Sequence, residues 1–223
     1  MRLPLSFAGS GWADALMHLL WPVSCPVCGH LGRLVCDDCL RALVRPTLPR
    51  CLACGKLSPC KTHKKSPRMR AGFVYEGSVR ELILALKHGK QEALGRRIGR
   101  ILAEAFDPPE ADALLPVPLH RGSPRRYNQS QALAEGMGEV WNLQVRDAAR
   151  WKFDASTRAG LSASQRSSLP LDAFTVGGSI RGLRVVLVDD VCTTGTTLSR
   201  LARACRNADA EVAEAFVAAW VPA

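Results

Sequence analysis

Asp189 and Asp190 stand side by side at the end of an apolar run, in the stretch VVLVDDVCTTGTTLSR over 185–200. A loop of hydroxyls with a single glycine follows, and a helical pattern then resumes. Backbone N–H groups in a glycine-containing loop, threonine hydroxyls and the positive end of a helix together make a phosphate site. Its candidate residues are Thr193, Thr194, Gly195, Thr196 and Thr197. Two carboxylates do not favour a phosphate. They accept hydrogen bonds from vicinal hydroxyls, or face a hydrated Mg²⁺. A ribose carrying a 5-phosphate satisfies both halves of the stretch. A P-loop does not fit, because the lysine and spacing of GxxxxGK[ST] are absent.

A second chemistry sits near the N-terminus, where seven of nine cysteines fall between positions 25 and 60. Cys25-x2-Cys28 and Cys36-x2-Cys39 are two knuckles on a short loop, the spacing of a closed tetrahedral zinc site. Cys51-x2-Cys54 and Cys60-x2-His63 repeat that spacing with an imidazole as fourth ligand. Gly29 and Gly55 each follow the second cysteine of a knuckle, where a positive φ comes cheaply. Two structural zinc ions are expected. Disulfides would need an oxidising compartment, and nothing in the sequence suggests export. Cys192, inside the acid–hydroxyl stretch, reads as a packing residue rather than a nucleophile.

These residues need a scaffold. The 223-residue chain is 47% hydrophobic and 22% charged, enough to bury a core. No apolar run approaches the length of a membrane span, and the first residues make a poor signal peptide, so a cytoplasmic protein is expected. The formal charge of +10 is uneven: residues 1–70 hold 11 Lys and Arg against 3 acids. An anionic partner for that part is one reading, and a merely basic surface the other.

The cysteine-rich segment is too small to make its own core, so residues 1–67 are read as a zinc-binding module. Residues 61–70 read as a basic linker, and 68–223 as the main domain. There, strand patterns (GFVYEG, DALLPVP, RVVLVDD, EVAEAFVAAW) alternate with helical ones. The helices are expected at SVRELILALKHGK with Ser78 as N-cap and Gly89 as stop, and at EALGRRIGRILAEAF. Two more are expected at SQALAEGMGEVW, with Leu133, Met137 and Val140 inward, and at TTLSRLARACRNA. That alternation predicts an α/β fold with a mostly parallel, Rossmann-like sheet, whose ligands bind beyond the carboxyl ends of the strands.

VVLVDDVCTTGTT resembles the signature of type I phosphoribosyltransferases for 5-phosphoribosyl 1-pyrophosphate (PRPP). The N-terminal CxxC module, YEGSVRELILALKHG and LLPVPLHRGSPRRYNQSQALA narrow the resemblance to the competence-associated ComF family, over nearly the whole chain. The resemblance implies PRPP bound with Mg²⁺, with Asp189 and Asp190 catalytic at the ribose. It implies pyrophosphate binding by Arg121, Arg125, Arg126, Asn128 and Gln129, with Lys87 beside them. It also implies a hood over 151–174. There the sequence departs from the family pattern at Ala155, Arg158 and Leu169, and Arg126 replaces a glycine. These departures bear on the acceptor more than on PRPP.

Two classes of function follow from the resemblance. One is a pentosyl-transferring enzyme with an unassigned acceptor, linked to DNA uptake in natural transformation. The other is non-catalytic: a factor that holds single-stranded DNA or a nucleotide among competence-machinery proteins, or a regulator that senses PRPP. Aromatic residues make up only 6% of the chain, which argues against a base-stacking platform.

Overall fold

The computed structural model describes residues 24, 25, 27–32, 35–88, 92–120, 123, 125, 127–153 and 169–222. The strands are β1 (Arg50–Cys51), β2 (Arg68–Val74), β3 (Ala113–Pro116), β4 (Gln144–Val145), β5 (Ala149–Trp151), β6 (Phe174–Val176), β7 (Arg184–Cys192) and β8 (Glu211–Trp220). The helices are α1 (Asp37–Leu43), α2 (Gly77–His88), α3 (Glu92–Glu104), α4 (Gln129–Trp141) and α5 (Thr196–Asn207).

Val185–Val188 are all buried, so both faces of β7 need cover. The strand lies inside a sheet of order β1-β2-β8-β7-β3-β4, parallel throughout except for the antiparallel edge strand β1. Leu82, Ile83 and Leu86 of α2, Ile98 and Leu102 of α3, and Leu133 and Met137 of α4 cover one face. Leu198, Leu201 and Cys205 of α5 cover the other, with Phe174 of the antiparallel β5–β6 pair. This is the expected α/β architecture.

The two cysteine clusters dock on opposite faces. Cys25, Val35 and Leu40 join the core under α2–α4, and Arg41 Nη2 reaches Glu104 Oε2 of α3 at 2.7 Å. Leu52, between Cys51 and Cys54, joins the core under α5. β1 carries the second cluster onto the edge of the sheet through β2.

Several boundaries differ from the sequence reading. Arg68–Arg70 are not linker: they open β2, and Arg68 Nε donates to Glu214 Oε2 at 2.7 Å. Arg70 donates to the other oxygen of Glu214, a carboxylate only 1% exposed. Ser78 lies inside the first turn of α2, which begins at Gly77. Gly89 lies outside the described residues. Val140 is exposed, and Trp141 is buried in its place, its indole N–H donating to Ala103 O at 3.1 Å. β7 runs past the acid pair, since Val191 and Cys192 still pair with Ala219 and Trp220.

α4 carries Gln129 and Ser130 at its first turn, and its placement depends on backbone-to-backbone contact with α3. A Cβ on Gly99 would lie 2.1 Å from Leu133 O, and one on Gly136 would lie 1.9 Å from Arg96 O. Gly99→Ala or Gly136→Ala is therefore expected to push the helices apart and destabilise the fold by about 2–3 kcal/mol. Urea unfolding midpoints with unchanged m-values would measure the loss.

Candidate functional site

The carboxyl ends of β3 and β7 and the start of α4 enclose a cleft of about 380 Å³. Asp189, Asp190, Thr194, Thr196 and Thr197 line one side, and Arg125, Gln129 and Ser130 another. Chain reversal explains the meeting. Parallel strands deliver their carboxyl ends to one edge, and each following helix starts there.

Adjacent strand residues face opposite sides, so the two acids have different surroundings. Asp189 accepts from Ser130 Oγ at 2.9 Å and from the Asp190 backbone N–H at 2.9 Å. Burial and the neighbouring Asp190 push its carboxyl up to about 7, and those two hydrogen bonds only partly oppose the shift. Asp190, 8% exposed, has Lys87 Nζ 3.5 Å from its Oδ2. Lys87, expected beside pyrophosphate, is thus engaged with the acid pair.

The hydroxyl loop is short. Gly195 adopts a left-handed φ of 73° as N-cap of α5 and supplies no side-chain cap. The Thr196 N–H donates to Thr194 Oγ1 at 3.4 Å, so the N–H groups that follow it in the first turn are those open to another acceptor. Thr194 Oγ1 and Thr196 Oγ1 are 2.9 Å apart. Thr193 is exposed outside the cleft lining.

Asn128 lines the cleft and also holds the start of α4. Its Oδ1 caps α4 by accepting from Ser130 N at 3.1 Å, and its Nδ2 donates to Val117 O at 3.0 Å. Gln129 is 2% exposed, and its Oε1 accepts from Arg125 Nη1 at 3.2 Å. Its Nε2 has no hydrogen-bond partner among the described residues, which leaves a buried donor beside the cleft. Arg121 and Arg126 lie outside the described residues, as do Ala155 and Arg158 of the hood stretch. Leu169 lines the cleft.

Sequence reasoning missed Ser130, His120 and Trp151. Ser130 lies 59 positions from its carboxylate partner, a separation no local pattern spans. His120 stacks on Trp151 at 3.6 Å between ring centroids, Trp151 meets Phe174 at 4.0 Å, and the Trp151 indole N–H donates to Pro118 O at 2.7 Å. Both His120 and Trp151 line the cleft. Cys192 is buried, and burial pushes its thiol up to about 11, as befits a packing residue.

Both cysteine clusters have the geometry of closed metal sites. Cys25, Cys28, Cys36 and Cys39 bring four sulfurs within 4.8 Å of one another, and Cys51, Cys54, Cys60 and His63 bring together three sulfurs and a ring nitrogen. Metal–sulfur bonds of about 2.3 Å in a tetrahedron place sulfurs about 3.8 Å apart. Cys28 and Cys36 Sγ are 3.7 Å apart, Cys54 and Cys60 Sγ also 3.7 Å, and Cys60 Sγ lies 3.6 Å from His63 Nδ1. None of these is a disulfide. The thiols titrate in opposition. Burial raises Cys25, but backbone N–H groups overcome it and hold the thiol at about 6. Its neighbour Cys39 is driven up to about 12, first by its contact with Cys28. A bound cation removes that conflict.

The family model described as a phosphoribosyl transferase domain matches residues 90–222. The DNA utilization protein YhgH of Salmonella typhi is 29% identical over 83% of this chain and 89% of its own length. Competence protein F of Haemophilus influenzae is 26% identical over 84% and 82%, and Competence protein ComFC of Streptococcus pneumoniae 22% identical over 84% and 81%. A solved structure of an allosteric regulatory enzyme of purine biosynthesis aligns with 59% of this chain and 25% of its own, at 21% identity and a TM-score of 0.37, and adds nothing to the fold described above. With the acid pair and hydroxyl loop at one sheet edge and paired cysteine clusters ahead of them, the chain belongs to the phosphoribosyltransferase family, in its ComF branch.

Proposed function

We propose that the cleft binds PRPP. One observation carries the reading: two carboxyl groups, the threonine loop at the start of α5 and the Arg125–Gln129 pair line a single cleft. The Thr194–Thr197 loop takes the 5-phosphate, Asp189 and Asp190 take the ribose hydroxyls, and Arg125 with Gln129 Nε2 faces the pyrophosphate. The family resemblance adds Arg121 and Arg126 as further candidate cations for the pyrophosphate. The carboxylate oxygens suit a hard cation, and Mg²⁺ arriving with PRPP would face Asp189 and Asp190 and neutralise charge on the leaving group.

Such a complex is poised for transfer. The bond from C1 to pyrophosphate breaks, a bond from C1 to a nitrogen nucleophile forms, and the nucleophile gives up a proton. Binding at the remote phosphate positions C1, while the acids stabilise its developing positive charge. The stacked rings of His120 and Trp151 give the cleft a planar wall suited to a ring-bearing acceptor.

A second reading is favoured by a different surface. A groove of about 650 Å³ runs between the second cysteine cluster and α5, lined by Lys61, Lys64, Lys65 and Arg206 over an apolar floor that includes Leu52 and Ala202. Its chemistry suits the backbone of a single-stranded nucleic acid. The names of the relatives, DNA utilization and competence, support a role in handling incoming DNA. Among the described residues no helix is long and apolar enough to cross a membrane. The tetrahedral spacing of the cysteine clusters supports zinc as the metal of both, with a structural role.

Calorimetric titration of PRPP with Mg²⁺ should show saturable binding, weakened more than about tenfold (about 1.4 kcal/mol) in Asp189→Asn/Asp190→Asn. Affinity should rise from about pH 6 to about pH 8, because an acid with a raised pKa accepts ligand hydroxyls well only after losing its proton near 7. No heat from the wild-type protein would reject the PRPP reading. Elemental analysis should return two zinc ions per chain, and one or none would contradict the two-site assignment. Anisotropy of a labelled oligonucleotide should weaken with salt, with a slope shallower by about 2 in Lys61→Ala/Lys64→Ala/Lys65→Ala. Salt-independent affinity would remove the nucleic-acid reading.

A further inference from the structure

The second cysteine cluster touches the phosphate loop directly, through one carbonyl group. Leu52 lies between Cys51 and Cys54, is 3% exposed, and packs in the core beside Cys192, Leu198 and Leu201. Its carbonyl oxygen accepts from Ser199 Oγ, in the first turns of α5, at 3.2 Å. The same oxygen lies where the phosphate loop is tightest. A Cβ on Gly195 would sit 2.9 Å from it, and Gly195 already needs its positive φ.

Both arms of the cluster fix that carbonyl. The Leu52 N–H donates to Pro67 O at 3.0 Å and the Ala53 N–H to Ser66 Oγ at 3.1 Å, so the segment after His63 folds back on the knuckle. Gly55 N–H donates to Cys51 O at 2.8 Å and closes the turn. The rest of this segment has little core of its own, since Ala53, Cys54, Lys61, Thr62 and His63 are all exposed. A bound metal is the cross-link that can hold the knuckle and the returning segment in register. Among the described residues the first cluster makes no such approach: Cys25 and Leu40 belong to the core under α2–α4, on the opposite face of the sheet.

We propose that the second cysteine cluster is a positioning element of the phosphate loop, its bound metal holding the Leu52 carbonyl against Gly195 and Ser199. Losing metal there loosens residues 193–200 and weakens phosphate binding, whereas losing metal from the first cluster does not. The binding half rests on the ribose-phosphate reading above, and the loosening half does not.

The test uses the full chain loaded with zinc. Cys54→Ser/His63→Ala empties the second cluster and Cys28→Ser/Cys39→Ser the first, with metal content checked by native mass spectrometry. Amide exchange in residues 193–200 should quicken by about tenfold or more in the second-cluster variant only, with 129–141 as the internal reference. Ribose 5-phosphate, titrated calorimetrically, should bind about tenfold more weakly to that variant alone. Unchanged exchange at 193–200, or equal effects from the two variants, overturns the proposal. If the wild-type protein binds no ribose 5-phosphate, the site reading fails while the exchange result still decides the coupling. If the cysteine variants do not fold, Ser199→Ala carries the test with both metals in place. It should quicken exchange at 193–200, and Ser199→Thr should restore it; no change in Ser199→Ala overturns the proposal.

Discussion

Two carboxyl groups side by side at the end of a buried strand repel each other and resist losing water, and the site is built around that conflict. Burial and Asp190 both push the Asp189 carboxyl up to about 7. The protein answers with three groups: the Ser130 hydroxyl and the Asp190 N–H on Asp189, and Lys87 opposite Asp190. The native carboxyl therefore keeps its proton where an exposed one would have shed it. Stability consequently falls as pH rises from the ordinary carboxylate range through about 7. A ligand that donates hydroxyl hydrogens or brings positive charge relieves that strain.

The groups that relieve the acids come from elements that have little else in common. Ser130 sits where it does because Asn128 caps α4 and ties its start to Val117, at the end of β3. α4 in turn lies against α3 with no side chain between them at Gly99 and Gly136. Lys87 comes from α2, which Leu82, Ile83 and Leu86 fasten to the same face. Tight helix packing thus sets distances in the cleft that the strands alone leave free. Overpacking at a distant glycine should be felt as misplaced chemistry as well as lost stability.

The parts of the structure legible in the sequence share one property: their signal is local. Val185–Val188 form an unbroken apolar run, so a strand covered on both faces follows directly. The CxxC spacings specify closed ligand sets for the same reason. What escaped depends on partners far along the chain. Arg68 and Arg70 look like linker residues until Glu214, about 145 positions later, is placed between them. β7 extends past its carboxylates because β8 continues alongside it, a fact of the partner strand. Two- and three-residue strands such as β1, β4, β5 and β6 are too short to show any period. Ser130 and the His120–Trp151 stack belong to the candidate site only through tertiary contact.

The docking of the cysteine clusters also has a physical logic. A segment this small gains little from its own apolar contacts, so each cluster lends buried residues to the main core: Cys25, Val35 and Leu40 on one face, Leu52 on the other. A metal held by the four clustered ligands would fix the rest. That division makes the clusters unequal, because the faces are unequal. One face ends in helices that support the acids, and the other ends in the helix that begins at the threonine loop. On the proposals above, a cross-link beside that second helix would bear on ligand contact, because the one glycine of the loop packs close against the Leu52 carbonyl.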